Sequence, residues 1–294
     1  MLNLDKLSPI LFLLMWSSGA IFVKMGLEDA SVWSFLTLRA TGALVLITII
    51  AIFWRGSQFT SLAKLPLPIL IKLLLSGLLL QVCYQGSYFL AINYKLSPGI
   101  VAMVLGLQPL LTPFFSKEDL SLKSYLMLTL GFAGLIIAVY GARDVSHITF
   151  LGLLFAVAAV LAITTGSVYQ KKIQVHPIAS ALVQNAIAAC IFMVISSSVG
   201  WEIHWTTQFI ISAAWMIGVV STGAVLLLLY MLTKDSASSV SVLFYLVPIL
   251  TMVFDYMAFG TTITVTTVLG SCMVIGSIYL FRQPAMTPKL AKIN

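Results

Sequence analysis

Ten apolar runs, each of about 17–25 residues, fill this chain almost from end to end, and that length is what an α-helix needs to cross the hydrocarbon core of a bilayer. They are Ser8–Gly26, Val32–Trp54, Ile69–Ile92, Pro98–Ser116, Leu122–Gly141, Phe150–Gln170, Pro177–Val199, Phe209–Thr233, Ala237–Phe259 and Val265–Phe281. The connections are short and leave no room for a soluble domain. Charged residues make up 9% of the chain, against about 25% in soluble domains. The expected fold class is an all-α polytopic membrane protein. The first run follows Lys6 and extends from Leu7 to Val23, longer than the roughly 7–15 residues of a signal-peptide core, so it reads as a retained first span.

A net charge of +7 would suggest a nucleic-acid partner in a soluble protein. No basic cluster with interleaved aromatics supports that here, so no nucleic acid is expected. The basic residues mark orientation instead. Twelve Lys and Arg fall on the side that holds the N-terminus and four on the other. The positive-inside rule then puts both termini in the cytoplasm, as an even number of spans requires. The end of the chain, 284–294, with Pro284 and Pro288, reads as a flexible cytoplasmic tail. Cys83, Cys190 and Cys272 all lie inside apolar runs and are expected to be buried as small hydrophobes. They show no C-x-x-C spacing, and neither a metal nor a cofactor is called for.

The chain repeats itself. Trp16–Lys24 (WSSGAIFVK) is similar to Ile163–Lys171 (ITTGSVYQK) at an offset of 147 residues. Pro109-Leu110-Leu111-Thr112 is similar to Pro248-Ile249-Leu250-Thr251, and Leu130-Gly131 to Leu269-Gly270, both at an offset of 139. Helices one to five therefore repeat as six to ten, in units 1–145 and 146–283. Because five is odd, the second unit enters the membrane from the opposite side, which predicts two inverted five-helix repeats around a central cavity. In transporters built this way the site lies near the midplane, on broken helices.

The least ordinary run is Leu96–Ser121, LSPGIVAMVLGLQPLLTPFFSKEDLS. Gln108 sits near its middle, and Pro109 and Pro113 follow one turn apart. Each proline removes a backbone donor and frees a carbonyl one turn back, at Leu105 and Pro109. Such a break is tolerated where it faces protein or a wet cavity. Ala237–Thr262, with Pro248 in mid-helix, is a weaker copy. These two kinked helices are expected to line one substrate pathway.

On helix three, Gln81, Tyr84, Gln85 and Tyr88 share one helical face. Facing lipid they would cost several kcal/mol, so they should face the interior, either as interhelical hydrogen bonds or as the wall of a wet pathway. Gln108 reads either as a ligand-binding amide or as a cap on the carbonyl that Pro109 frees. Tyr245, Tyr230 and Trp16 are further wall candidates, with plain packing as the alternative for each. Tyr169 and Gln170 read as interfacial anchors at a helix end. Arg39 either snorkels outward or pairs with Glu28 or Asp29 as a gate. Ala158, Ala162 and Gly166 form a small-xxx-small packing stripe on helix six. No Asp, Glu, Lys or His sits in mid-membrane, so an obvious carboxylate relay is missing. His147, His176 and His204 fall in loops. No H-E-x-x-H, P-loop, G-x-S-x-G or TVGYG sequence is present, which argues against enzyme and K⁺-channel readings.

Taken in order, these motifs resemble the EamA group of the drug/metabolite transporter superfamily over nearly the whole chain, twice over. The first half resembles it in Trp16-Ser17-Ser18-Gly19 with Lys24, Leu38-Arg39, Gly106-Leu107-Gln108-Pro109-Leu110-Leu111-Thr112, Glu118-Asp119-Leu120-Ser121, Gly131 and Gly134. The second half does so in Tyr169-Gln170-Lys171 and Leu243-Phe244-Tyr245-Leu246-Val247-Pro248. Where that family often has Gly-Glu after each kinked helix, this chain has Lys117-Glu118 and Gly260-Thr261. Only the first acid is kept, so gate chemistry is sought at Glu118. The resemblance implies ten helices in two inverted repeats, with the cavity walled by helices one, three, four, six, eight and nine.

It also implies export or facilitated movement of amino acids or similar small metabolites across a bacterial inner membrane. The partners implied are a small-molecule substrate and the lipid bilayer, in a monomer or homodimer. A lipid-precursor flippase of the same fold and a non-transporting membrane assembly partner are the alternative readings.

Overall fold

The computed structural model describes residues 4–53, 65–96, 98–141, 149–259 and 263–282. The boundary between the two expected units, the Gly260-Thr261 pair, His147 and the tail all lie outside these residues. Apolar sequence with so few loop signals can satisfy its backbone in lipid only as helices. The described residues are accordingly helical, with one isolated antiparallel bridge between Ala30 and Ile203. The helices are α1 (Leu4–Gly26), α2 (Val32–Phe53), α3 (Leu67–Asn93), α4 (Pro98–Leu105 and then Gln108–Ser116), α5 (Leu122–Gly141), α6 (Phe150–Lys171), α7 (Pro177–Val199), α8 (Thr207–Lys234), α9 (Ala237–Ser241, Val242–Tyr245 and Leu246–Phe259) and α10 (Val265–Arg282). Among the described residues eight helices are long and apolar enough to cross a membrane, and Ile100–Ser116 and Val265–Phe281 are shorter apolar helices.

Short polar connections start several of these helices. The hydroxyls of Thr149, Thr206 and Ser236 accept from the backbone N–H of Gly152, Phe209 and Ser239 at 3.2, 3.0 and 3.1 Å, the usual capping role of Ser and Thr. At one end of the bundle the α1–α2 and α7–α8 connections are laced together. Thr206 donates to the Asp29 carboxylate at 2.6 Å, Gln208 to Glu28 at 2.8 Å, and the His204 N–H to the Asp29 carbonyl at 2.7 Å. At the opposite end, where α1 begins, the Tyr230 hydroxyl of α8 donates to Asp5.

The most extensive helix contacts join the first half of the chain to the second: α5 with α10, α3 with α6, α1 with α8 and α2 with α7. The first of these is nearly backbone on backbone. A Cβ built on Gly270 would stand 2.4 Å from the Gly134 oxygen and from the Ala138 nitrogen, so only glycine allows this approach. Gly131 serves a different purpose, making room for the Tyr245 ring, which a Cβ there would meet at 2.8 Å.

Four helices depart from regular α geometry in mid-course. α3 is π-helical at Leu78–Cys83 and α8 at Met216–Ala224. α4 breaks at Gly106-Leu107, and α9 tightens into a 3-10 turn at Val242–Tyr245. In both kinked helices the break precedes the first proline rather than falling on it. Pro109 takes an early position of the second α4 segment, where its missing N–H costs nothing, and the preceding turn absorbs the bend.

Two packing expectations are corrected. Cys83, Cys190 and Cys272 are exposed on the outside of the bundle, because in an apolar solvent an apolar position need not face protein. On α6, Ala162 and Gly166 of the stripe are buried but Ala158 is exposed, and Gly152, Ala156, Ala159 and Ile163 are buried with them. The packed face follows the 3.6-residue period of the helix rather than a strict four-residue stripe.

Candidate functional site

A chamber lies between α1, α3, α4, α8 and α9, with Arg39 of α2 reaching into it. Its cavity volume is about 50 Å³. The chamber is therefore narrow. Its walls include Trp16, Gly19, Tyr84, Gln85, Tyr88, Leu105, Val220, Phe244, Pro248 and Thr251.

The π-helical turns explain how several polar groups reach one place. A π turn inserts an extra residue and rotates the remainder of the helix about its axis. In α3 it contains Gln81 and ends just before Tyr84, so that Gln81, Tyr84 and Gln85 are all buried. In α8 it carries Ser221, and Thr222 spans the wide turn by donating to the Ile217 carbonyl at 2.8 Å.

Ser221 and Gln85 meet at Arg39. The Arg39 side chain is only 4% exposed. Its Nε donates to the Ser221 hydroxyl, one terminal nitrogen donates to Gln85 Oε1 at 2.7 Å, and the guanidinium lies 5.6 Å from the Phe89 ring centre. Arg39 thus neither snorkels outward nor pairs with Glu28 or Asp29. Those acids are engaged by Gln208 and Thr206, and Phe35, Phe89 and Phe209 pack into an aromatic cluster on α2, α3 and α8 near that end of the bundle. Arg39 and Gln85 also border a second, far smaller space of about 10 Å³, shared with Gln81, Asn185 and Ser221.

One side of the chamber is sealed by aromatic rings. Phe12 packs on Trp16 with centroids 5.2 Å apart, Phe244 packs on both at 5.4 and 5.6 Å, and Tyr84 lies nearly parallel to Trp16 at 6.1 Å. Phe12 is one turn closer than Trp16 to the start of α1, and it is fully buried. This floor separates the chamber from the end of the bundle where α1 begins. Further toward that end, Ser76, Gln170, Ser180 and Gln184 form a buried hydrogen-bonded cluster between α3, α6 and α7. Gln184 donates to Ser76 at 2.9 Å and to Gln170 at 2.8 Å, and Ser76 donates to Gln170 at 2.6 Å. Gln170 is therefore an interior hydrogen-bonding group, not an interfacial anchor, because its helix face turns toward α3.

The expected pathway residues divide. Trp16, Tyr84, Gln85, Tyr88 and Pro248 line the chamber, and Gln81 lines a small adjoining space. Tyr245 does not reach it: the ring turns toward α5, where its hydroxyl donates to the Leu128 carbonyl at 2.7 Å. Phe244 faces the chamber instead, on the i, i+3, i+4, i+7 face that it shares with Val247, Pro248 and Thr251. Tyr230 lies near the far end of α8 with Asp5, and Lys234 stands 5.7 Å over its ring; it is too far along the helix to be a wall. Gln108 is buried, but its Oε1 has no hydrogen-bond partner and it is not among the lining residues. Pro109 and Pro113 are likewise packed inside. Glu118 is half-buried just past α4, its N–H donating to the Pro113 carbonyl at 3.3 Å.

Ser221, Asn185 and Phe244 are site residues that the sequence reading passed over. Gln184-Asn185 and Ser221-Thr222, polar pairs inside apolar runs, were the available signal for the first two.

These features define a class: a multi-pass α-helical membrane protein with a small, mainly apolar chamber carrying a few polar groups among its helices, the construction of a membrane transporter. Residues 7–140 and again 150–283 match the EamA-like transporter family, and the chain belongs to that family. It is 28% identical over 233 residues to "Uncharacterized transporter YvbV" of Bacillus subtilis, which covers 75% of this chain and 74% of the relative. It is 24% identical to a "Probable amino-acid metabolite efflux pump" of Escherichia coli over 65% of this chain and 61% of the relative. A protein of the same description from Salmonella typhimurium is 22% identical over 94% of both chains. A crystal structure, described only as that of a protein, superposes with a TM-score of 0.76 at 19% identity, covering 94% of this chain and 95% of the other. At that identity the likeness concerns the fold alone.

Proposed function

We propose that this chain exports, or passively conducts, amino acids or similar small metabolites across a bacterial inner membrane by alternating access, with both termini in the cytoplasm. The observation that carries the reading is the chamber itself: an arginine and an amide set among Trp16, Tyr84, Tyr88 and Phe244, closed on one side by stacked rings. Aromatic faces with a few placed polar groups suit a small amphipathic solute. The relatives described as amino-acid metabolite efflux pumps support the substrate class.

In this reading all ten helices cross the membrane as two inverted five-helix repeats, 1–145 and 146–283. Two kinds of backbone irregularity support the pairing. The π-helical turns fall in the third helix of each half, and the breaks fall in the fourth. Parting of Phe12, Trp16 and Phe244, with Glu118 as the acid of that gate, admits substrate to the chamber from the cytoplasmic side. The substrate then leaves on the side opposite the aromatic floor.

The test is transport. Purified protein in liposomes is loaded with a labelled amino-acid mixture, and efflux is compared with that from protein-free liposomes. Efflux above the protein-free rate, lost on Trp16→Ala, is the expected result. No movement of any amino acid or common metabolite sinks the proposal.

A further inference from the structure

We infer that Arg39 is an anion-recognition site and that the substrate presents a single carboxylate to it. This rests on the transport reading above and narrows it.

A guanidinium has five N–H donors and no acceptor. Two are used, on Ser221 and Gln85. In accepting them, Ser221 and Gln85 engage their oxygens with Arg39, which leaves the Ser221 O–H and the Gln85 amide N–H as donors. Three guanidinium N–H groups thus remain beside these donors and beside the hydroxyls of Tyr84 and Tyr88, which can donate as well as accept. No carboxylate lies among the described residues that line the chamber or the space behind Arg39.

A buried cation with only neutral partners is costly, and an intramembrane charge is a functional group by default. A planar carboxylate can take two parallel N–H bonds from the guanidinium. It also cancels the single charge, whereas a dianionic phosphate would leave a negative charge over in a chamber whose described lining offers no second cation. A ligand bearing only an ammonium would meet an uncompensated positive charge. Where a carboxylate ligand also carries an ammonium, the ring faces of Trp16 and Phe244 are the groups available to it.

The experiment uses the full chain in lipid nanodiscs at pH 7, with four matched probes titrated against tryptophan fluorescence. They are L-phenylalanine, 3-phenylpropanoate, L-phenylalaninamide and phenethylamine. The two carboxylates should bind at least about tenfold more tightly than the amide and the amine, the size of a charge-assisted hydrogen bond. Phenyl phosphate should bind no better than the amide.

Because Arg39→Gln could fail to fold, the variant of choice is Gln85→Glu. It is nearly isosteric and gives Arg39 an internal carboxylate, so the advantage of the two acids over the amide should vanish while the protein stays monodisperse. Equal binding of acids and amide by the unaltered protein overturns the inference, as do binding of none of the probes, tighter binding of phenyl phosphate, and a Gln85→Glu protein that still prefers acids. The two proposals fail separately. Liposomes that move phenylalanine and its amide equally well overturn the carboxylate site and keep transport. Liposomes that move nothing overturn both.

Discussion

Gly270 and Gly276 lie on the same helix, six residues apart, and the structure predicts opposite results for the same substitution. At Gly270 an alanine Cβ would stand 2.4 Å from the Gly134 oxygen and the Ala138 nitrogen, and 2.8 Å from the Ala138 Cα. Ordinary contact begins at 3.4 Å, so the overlap is about 1 Å and falls entirely on backbone. No rotamer change relieves it; α5 and α10 must part, opening the interface that buries Leu128, Leu135, Val274 and Ile278. Overpacking of this kind costs about 1–3 kcal/mol. At Gly276 a Cβ meets nothing within 4 Å, and the variant simply gains helix propensity, about 1 kcal/mol. That gain applies equally at Gly270, so the stability gap between the two variants isolates the steric cost, about 1–3 kcal/mol. The assay is SDS or thermal unfolding of purified protein followed by tryptophan fluorescence. Gly276→Ala should match or exceed the unaltered protein and Gly270→Ala should fall below it. Equal stability of the two variants would refute the backbone-contact argument.

Lys117 ends α4 at φ 56°, in the left-handed region, which costs a non-glycine residue about 1–2 kcal/mol. Lys117→Gly should raise the thermal midpoint, with the gain trimmed by the greater freedom of glycine in the unfolded chain; an unchanged or lower midpoint would count against it. Tyr245→Phe removes the hydrogen bond to the Leu128 carbonyl and should cost about 1 kcal/mol, measured in the same unfolding assay, while leaving the affinity of any chamber ligand unchanged. His176 caps α7 by accepting the Ile178 N–H on Nδ1, and partial burial lowers its pKa below the usual 6.5. The folded state therefore resists protonation: its contribution is intact above about pH 6.5 and is lost as pH falls below that value. The side chain is largely exposed, so the effect is small. A thermal midpoint that declines between pH 8 and pH 5, and declines less in His176→Asn, is the expected result.

Much of the helix inventory was legible because lipid imposes a length and a polarity that the sequence must obey. The runs from Val32, Leu122, Phe150 and Pro177 coincide at their starts with α2, α5, α6 and α7. The stripe on α3 was legible for the same reason, since Gln81, Tyr84 and Gln85 are too polar for hydrocarbon. Local deviations from α geometry were not. Nor was the face of α9 that meets the chamber: Phe244, Val247, Pro248 and Thr251 line it, while Tyr245, one position on, turns to α5. Arg39 was misjudged because snorkelling is a statement about one helix, whereas its partners, Gln85 and Ser221, lie 46 and 182 residues away in the chain. The cysteines were misjudged because hydropathy does not distinguish lipid from protein interior.

The pairing of α5 with α10, α2 with α7 and α3 with α6 also sets a timetable for biogenesis. Synthesis proceeds at roughly 5–20 residues per second. From the last residue of α5, Gly141, to the last of α10, Arg282, the ribosome therefore needs on the order of ten to thirty seconds. Gly134 lacks the α10 backbone for most of that interval, and Arg39 lacks Ser221 for roughly its first half. The nascent first half is thus the stage of this protein's life most open to degradation or to capture by membrane chaperones. Truncation after α5 is expected to leave a product cleared far faster than the full chain, even though each of its helices could insert.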